Sequence, residues 1–571
     1  RCLPPQQAGL MSGMLVGYRE GLSENVQDVF RDSGLMHIMA VSGANVAFIA
    51  APLIFIFRKI RISRRLSNAI VIFVLVFFVF ITGFEPSVLR AVIMAVVMLL
   101  GRIINREADA LTSMAFACML LLLYSPYNLF NIGFQLSFAA TISLILLYKG
   151  IRKILKFRFI PEILGDMIAV TMAAQLGVLP VTLYHFNRVS LVSILSNLIV
   201  APVVEVITIL GSIMAVIGQV CIPAALAVGY INCALLSFVL FAAKITASLP
   251  FAVLITATPA LFQVGAYYLL LWLILCFKPG LRRDLKAKYC AVIVGVVILT
   301  TLVQFLVPKG IEVVFIDVGE GDSIFIRTCG GKTVLIDGGG SSGGTGASNP
   351  GESVVIPFLL DQGVTRLDLV VASHGHDDHI QGLMPVLESV KAGGLLVPGN
   401  HTRGMEELIN TAESMGVPVM ECSRGDTARL DSKTHFKVLY PVKSLDEPTV
   451  SLNNCSLVLK LIYADLSILF PGDIEKEIED VLVSEGSDIE ADVLKVAHHG
   501  SNTSTTPGFL EKVRPAAAVI CVGTNNFGHP SEDVIERLEA SGVEVFRTDT
   551  DGAVVLKSYG RRMLLRKTLY D

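Results

Sequence analysis

Between residues 35 and 307 the chain is a succession of long apolar runs separated by short loops. From 308 onward the apolar runs shorten and end on glycine, aspartate or histidine. A helix needs about 17–25 apolar residues to cross a bilayer. Candidate spans lie at 35–57, 66–83, 86–101, 110–124, 133–148, 163–184, 190–216, 223–248, 252–277 and 289–307. The pattern predicts a polytopic α-helical membrane domain of about ten spans over 35–307, a second domain over 308–571, and a separate N-terminal stretch, 1–34. In that stretch Leu22, Val26, Val29 and Phe30 recur at helical spacing beside Arg19, Glu20, Glu24, Asp28 and Arg31. The spacing fits an amphipathic helix lying on the membrane, or an ordinary surface helix.

The second domain reads differently. Ile311–Ile316 and 323–327 are predicted strands around Asp317-Val-Gly-Glu-Gly-Asp322, and Thr333–Ile336 is a strand ending in Asp337-Gly-Gly-Gly. A glycine- and serine-rich loop over 338–351 and a helix over 352–362 follow. Strands then alternate with helices and glycine turns, which argues a layered α/β domain.

Charge separates the same two parts. Of 46 Lys and Arg and 49 Asp and Glu, residues 308–571 hold 23 and 38, leaving the first part basic and the second acidic. Loops 58–65, 101–109, 149–160 and 278–288 carry seventeen basic residues, whereas the alternate loops near 84–86, 125–132, 185–189 and 249–251 carry only Arg188. By the positive-inside rule the basic side is cytoplasmic. With an even number of spans, residues 1–34 and 308–571 then lie outside the cytoplasm. The ten cysteines show no paired spacing, which excludes a disulfide framework or zinc knuckle. The chain begins at Arg1 without Met and reads as a fragment.

The densest chemistry is Ser373-His-Gly-His-Asp-Asp-His379, directly after the apolar run 367–372. Imidazole suits Zn, Mn or Fe, and a carboxylate can bridge two cations. Downstream, Leu466–Phe470 ends in Pro471-Gly-Asp473, and the strand 492–497 ends in His498-His499-Gly-Ser501. Successive strand ends thus deliver metal-binding residue types to one edge of a sheet. Inside the predicted spans His37, Ser42, Asn45, Arg90, Gln135, Gln175, Asn197 and Glu205 are polar, and such residues are functional candidates or interhelical hydrogen bonds. Gly43, Pro52, Pro86, Pro180 and Pro202 are expected to kink or interrupt helices.

The order H-x-H-x-D-H, then Asp, then His resembles the metallo-β-lactamase fold, an αββα sandwich, over about 310–560. That resemblance implies His374 and His376 on one metal, Asp378 and His379 on the other with His498 completing it, and Asp473 bridging. His499 and His529 are left as catalytic or phosphate-contacting residues beside Asp378, and which of His498 and His499 binds the metal stays open. Where the pattern expects a further histidine, the chain has Asn453-Asn454-Cys455-Ser456. His401 and His435 read as incidental.

The membrane half adds Leu35-Met-His37-Ile-Met-Ala-Val-Ser42-Gly43, Thr82-Gly-Phe-Glu-Pro86-Ser-Val-Leu-Arg90, Gly133-Phe-Gln135-Leu-Ser-Phe138 and Ser196-Asn197-Leu-Ile-Val-Ala-Pro202. Together with Asp317–Asp322, 453–457 and 497–501, the chain resembles the ComEC family of DNA-internalisation competence proteins, without the external OB-like domain that usually precedes the competence region. The resemblance implies a cytoplasmic-membrane channel passing single-stranded DNA. It also implies an extracytoplasmic, metal-dependent nuclease domain with two divalent ions (Mn or Zn), degrading the strand left outside. Membrane lipid, DNA-receptor proteins and a cytoplasmic ATP-driven motor are the expected partners, the motor because the chain has no full Gly-x-x-x-x-Gly-Lys-Ser/Thr phosphate loop. His37, Ser42, Arg90, Gln135, Asn197 and Glu205 are the channel candidates. The alternatives are a membrane-anchored hydrolase of another phosphoester, and a channel whose metal domain is inactive and guides DNA.

Overall fold

The computed structural model describes residues 2–18, 21–41, 43–155, 161–275, 288–298, 310–340, 349–399, 404–442, 451–560 and 562–569. The chain divides into two compact units, Arg1–Ile298 and Leu299–Asp571.

The first unit is helical: α1 Pro5–Val16, α2 Glu24–Asp32, α3 Gly43–Lys59, α4 Arg64–Ile81, α5 Pro86–Ile103, α6 Ala110–Tyr124, α7 Ile132–Ile154, α8 Glu162–Phe186, α9 Ser193–Ile217, α10 Ile222–Ala247, α11 Leu261–Leu275 and α12 Lys288–Ile298. Among the described residues six of these (α4, α5, α7, α8, α9 and α10) are long and apolar enough to cross a membrane; α6, α11 and α12 are shorter apolar helices. Starts are written in the sequence. Asp109 Oδ2 accepts from Thr112 N at 2.8 Å, Asn131 Oδ1 accepts from Phe134 N at 3.1 Å, and Pro86 opens α5. The exterior is apolar, with Phe73, Phe77 and Phe80 of α4 and Leu123 of α6 exposed. This is a membrane protein.

Two expectations are corrected here. The span expected at 35–57 is a 3-10 turn, Met36–Met39, an extended residue at Ala40, and only then α3. The break is held by a side chain, because Ser87 Oγ donates to Val41 O at 2.9 Å in place of a helical amide. The span expected at 252–277 begins as a strand, Val253–Ile255, paired antiparallel with Arg188–Ser190, and becomes helical only at Leu261. Pro52, Pro180 and Pro202 lie inside helices that continue past them. The part of the tenth expected span beyond Ile298 lies outside the described residues.

The apolar stripe of residues 1–34 has protein for a partner. Leu10, Met14, Leu22, Val26 and Phe30 are buried with Val200 and Ile207 of α9 and Leu236 and Val239 of α10.

The second unit is a sandwich of two mixed sheets. Among the described residues the first runs Val419–Cys422, Leu395–Pro398, Leu369–Val371, Thr333–Ile336, Ile324–Arg327, Ile311–Phe315, Val554–Ser558 and Met563–Lys567. The second runs Thr427–Arg429, Thr434–Tyr440, Val458–Tyr463, Leu466–Phe470, Val493–Lys495, Ala517–Ile520 and Glu544–Arg547. In each sheet antiparallel hairpins give way to parallel strands. The first changes at the Thr333–Ile336 and Leu369–Val371 pair, the second at Leu466–Phe470 and Val493–Lys495. Phe315, Phe436, Phe470, Ile468, Val371 and Val519 fill the space between the sheets. Helices such as Lys476–Ser484 and Glu532–Ala540 cover the outer face of the second sheet through Ile478, Leu482, Val534 and Leu538. The parallel strands matter for function, because they carry consecutive strand ends to one edge.

Candidate metal centre

The strand Leu369–Val371 runs into Ser373 and His374, and His376 precedes the short helix Asp377–Ile380. Burial is complete at His374 and His379. His374 Nε2 and His376 Nδ1 lie 3.1 Å apart. His379 is held from both sides, with Nδ1 2.9 Å from Asp337 Oδ2 and Nε2 3.1 Å from Asp473 Oδ2. Asp337 is itself braced, since Oδ1 accepts from Ser373 N at 2.8 Å. It has φ 58°, a left-handed conformation that Asp and Asn tolerate better than most residues.

The strand Leu466–Phe470 delivers Asp473, and Val493–Lys495 delivers Lys495 and the turn Ala497–Gly500. His498 and His499 both have positive φ, 51° and 52°. That turn sends their rings in different directions. His499 Nε2 lies 3.3 Å from Asp473 Oδ2 and 3.5 Å from Asp378 Oδ2, and Nδ1 donates to Cys521 O at 2.8 Å. His498 instead sits by Asn453 Nδ2 (3.4 Å) and Glu475 Oε1 (3.8 Å), with its ring 5.4 Å from that of His529. His529 lies against Phe527, with Nδ1 3.6 Å from Glu320 Oε1. The sequence left open which of His498 and His499 joins the second ligand set; the structure brings His499 beside Asp378 and Asp473, and leaves the rings of His498 and His529 against one another.

Among the described residues three interlocking groups could hold a cation: His374, His379 and Asp473; Asp378, His379 and His499; and Asp322, Asp337 and His379. His376 adjoins the first group through His374. Asn454, where the family pattern expects an imidazole, is committed elsewhere. Its Oδ1 accepts from Glu475 N at 2.8 Å and its Nδ2 donates to Glu477 Oε2 at 3.3 Å.

Three residues that sequence reasoning did not assign complete the cluster. Asp322 and Asp337 are buried, and Lys495 is buried against both Asp322 and Asp473, its Nζ 3.2 Å from Asp473 Oδ1. Burial would lower the Lys495 ammonium, but Asp322 and Asp473 hold it above its ordinary value. Burial likewise opposes protonation of His379 and His499. Asp473 and Asp337 nonetheless raise His379 well above the usual range, and Asp473 and Asp378 raise His499 to about 10. Burial lowers His498.

The donors fit a divalent cation. His499 Nε2 is buried without a hydrogen-bond partner, between carboxylates of Asp473 and Asp378, and imidazole plus carboxylate is a Zn or Mn donor set. Asp337 on the far nitrogen of His379 is the orienting carboxylate such ligands commonly have.

Two of the membrane candidates meet, the side chains of His37 and Asn197 being hydrogen-bonded. His37 is in the turn before α3, Arg90 is buried on α5, and Gln135 Oε1 lies 2.8 Å from His185 Nε2. Asn197 Nδ2 donates to Ser193 O at 2.8 Å, and Gln175 donates to Ser193 Oγ. Glu205 is exposed on α9. Ser42 lies outside the described residues. Glu85 and Arg90 form no ion pair among the described residues.

A helical membrane unit joined to a sandwich with imidazoles and carboxylates at its strand ends defines a membrane protein carrying a metallo-β-lactamase-superfamily domain. Residues 316–524 match the metallo-beta-lactamase superfamily and residues 14–280 match the competence protein family. The chain is 32% identical to ComE operon protein 3 of Bacillus subtilis (strain 168), over 97% of this chain and 71% of that protein. It is 28% identical to competence protein ComA of Neisseria gonorrhoeae, over 96% and 74%. Among solved structures it is similar to Zn-bound PqqB of Methylobacterium extorquens, at 12% identity and TM-score 0.27, covering 42% of this chain and 88% of that one. The chain belongs to the competence-protein family.

Proposed function

We propose that this protein takes part in DNA uptake. In this reading the helical unit passes a single strand across the cytoplasmic membrane, and the metal-binding domain hydrolyses the phosphodiesters of the strand left outside. The observation that carries the reading is the buried cluster of His374, His379, Asp473, Asp378 and His499 in a chain of the competence family. The charge asymmetry of the loops supports a cytoplasmic basic side and an extracytoplasmic metal domain. Externally bound DNA would come from a receptor protein, and the inward pull from a separate ATP-driven motor.

His374, His376 and Asp473 would hold one cation, and Asp378, His379, His499 and Asp473 a second. Bound divalent metals lower the pKa of a coordinated water and stabilise charge on a leaving oxygen. Asp337 keeps the His379 proton on Nδ1 and leaves Nε2 for the metal. Lys495 engages Asp473 Oδ1, which leaves Oδ2 toward His379 and His499. His498 and His529 stand beside the ligands, where they could contact substrate phosphate or protonate the leaving oxygen.

The test is a nuclease assay on the full chain in detergent, with Mn²⁺ or Zn²⁺, labelled single- and double-stranded DNA, and His376→Ala and Asp473→Ala controls. Metal-dependent cleavage lost in both variants is expected. A folded protein that binds metal yet cleaves neither substrate would refute the nuclease role and favour a guiding domain, a reading supported by the Asn at position 454.

A further inference from the structure

The loop after the strand Ala517–Ile520 carries an aromatic side chain that neither the core nor the metal ligands account for. Phe527 is 65% exposed, and among the described residues of the second unit it is the one phenylalanine that lies mostly in solvent. The loop is held from within by Asn525. Its Nδ2 donates to Gly523 O at 2.9 Å and His529 O at 2.8 Å, and its Oδ1 accepts from Phe527 N at 3.0 Å and His529 N at 3.1 Å. Gly523 N donates to Glu320 Oε2 at 3.0 Å, and a β-carbon on Gly523 would collide with the backbone of Gly319 and Glu320. The loop is thereby seated on the turn 317–322, whose Asp322 pairs with Lys495 and whose Gly321 lies against the backbone of Asp378.

The Phe527 ring is directed by its neighbours. It stacks on His529, with centroids 5.8 Å apart and planes 28° from parallel. His529 is in turn 5.4 Å from His498 and 6.4 Å from His499, centroid to centroid. Its Nδ1 faces Glu320 Oε1 at 3.6 Å, and both atoms are buried without a hydrogen-bond partner. The His529 ring thus turns its edge to Glu320 and its face to Phe527. A row of rings leads from His499, between Asp378 and Asp473, to an aromatic face open to solvent. The surrounding domain is acidic, with 38 carboxylate against 23 basic side chains over 308–571, so counterion release gives it little hold on a strand. Stacking needs no charge and accepts any base, because every base has a π-face.

We propose that Phe527, backed by His529, is a stacking platform for a nucleobase of the strand whose phosphodiester lies at the metal centre. The proposal rests on the hydrolase part of the function proposed above and names the group that holds the strand there.

Two measurements on the full chain in detergent with Mn²⁺ test it. The first uses a single strand in which one central linkage is a phosphodiester and the others are phosphorothioates, with or without abasic sugars flanking that linkage. Wild type should cleave the strand with bases at a KM about tenfold lower, the worth of stacking one base. Phe527→Ala should raise that KM about tenfold and leave the KM of the abasic strand as in wild type. Phe527→Leu, which keeps apolar bulk but cannot stack, should behave like the alanine variant, and Phe527→Trp should retain the preference. The second measurement reads the fluorescence of a single 2-aminopurine set among abasic sugars beside the central linkage. Wild type should quench it on binding, and Phe527→Ala should not.

Equal KM values for the two strands in wild type, or an equal rise for both in Phe527→Ala, overturn the platform and leave the nuclease reading in place. A Phe527→Ala protein with both KM values unchanged and a lowered Tm shows that the ring packs on protein, which overturns the platform as well. Cleavage of neither strand by metal-loaded wild type overturns the nuclease reading and the platform with it.

Discussion

Asp337→Asn isolates the role of one carboxylate oxygen. The substitution keeps size and shape, and Asn tolerates the φ of 58° at this position. What changes is hydrogen-bond polarity. Oδ2 faces His379 Nδ1 at 2.9 Å and Oδ1 accepts from Ser373 N at 2.8 Å, so both oxygens are acceptors in use. An amide offers one acceptor. If its NH₂ faces His379, the ring must carry its proton on Nε2, the nitrogen 3.1 Å from Asp473 that the metal needs. If it faces Ser373, two donors meet in a buried site. Either way one bond is lost, at about 1–3 kcal/mol for a buried unsatisfied group. Losing an orienting partner of a metal-bound histidine typically costs 10–100-fold in affinity, roughly 1.4–2.7 kcal/mol. The assay is Mn²⁺ or Zn²⁺ titration of the full chain, with a denaturation midpoint in chelator as control. A tenfold or greater loss of affinity in a folded protein is expected. An affinity within twofold of wild type would refute the assignment of Asp337 as the group that sets the His379 tautomer.

Further expectations follow from the same geometry. His499→Ala should lower bound metal, measured by elemental analysis, more than tenfold in affinity, whereas His498→Ala should keep it within about threefold; the reverse order would reassign the ligand. Lys495→Met leaves Asp322 and Asp473 buried without their ammonium, a loss of about 3–5 kcal/mol in chelator. Added divalent metal should recover part of that stability, and a variant as stable as wild type in chelator would discount the ion pair. Glu479 accepts from Thr505 N and Thr506 N, and burial raises its carboxyl above the ordinary value. A raised carboxyl makes the folded state bind more protons than the unfolded one, so this contribution is intact below the unfolded pKa and declines as pH rises through the folded pKa. Denaturation of the chelated protein at a series of pH values should show wild type losing ground to Glu479→Gln across that window; parallel curves would contradict the sign.

The candidate metal ligands were legible because most sit within six residues at one strand end, and a packed run of imidazoles and carboxylates has no core-packing rationale. Asp473 was legible for the same reason, as a Gly-Asp closing an apolar strand. Choosing between His498 and His499 was not possible, since neighbouring residues in a left-handed turn point apart and only the turn decides which ring faces Asp473. Asp337 and Asp322 were visible as strand-end turns, but their roles depend on contacts to His379 across 42 and 57 positions of chain. Lys495 did leave a signal, a lone charge in the apolar run Val493-Leu-Lys-Val-Ala497, which in a buried strand implies a buried counter-charge. In the membrane unit the apolar periods located the long helices. The break before α3 escaped because its backbone is satisfied by Ser87, a residue on another helix.

The charge of the metal cluster links its stability to its use. Of the four carboxylates of the cluster, Asp322 and Asp473 pair with a single ammonium, Lys495, while Asp337 and Asp378 face His379 and His499. With its imidazoles deprotonated, as metal binding requires, the centre is anionic, a state that burial disfavours and a divalent cation corrects. The surrounding domain is acidic as well, with 38 carboxylate against 23 basic side chains over 308–571, so it gains little from releasing counterions of DNA. The same cations that neutralise the buried aspartates would then be the local positive charge that a phosphodiester meets. Lys495 could not substitute for them toward substrate, because it is buried on Asp322 and Asp473, where it steadies the ligands and is shielded from phosphate.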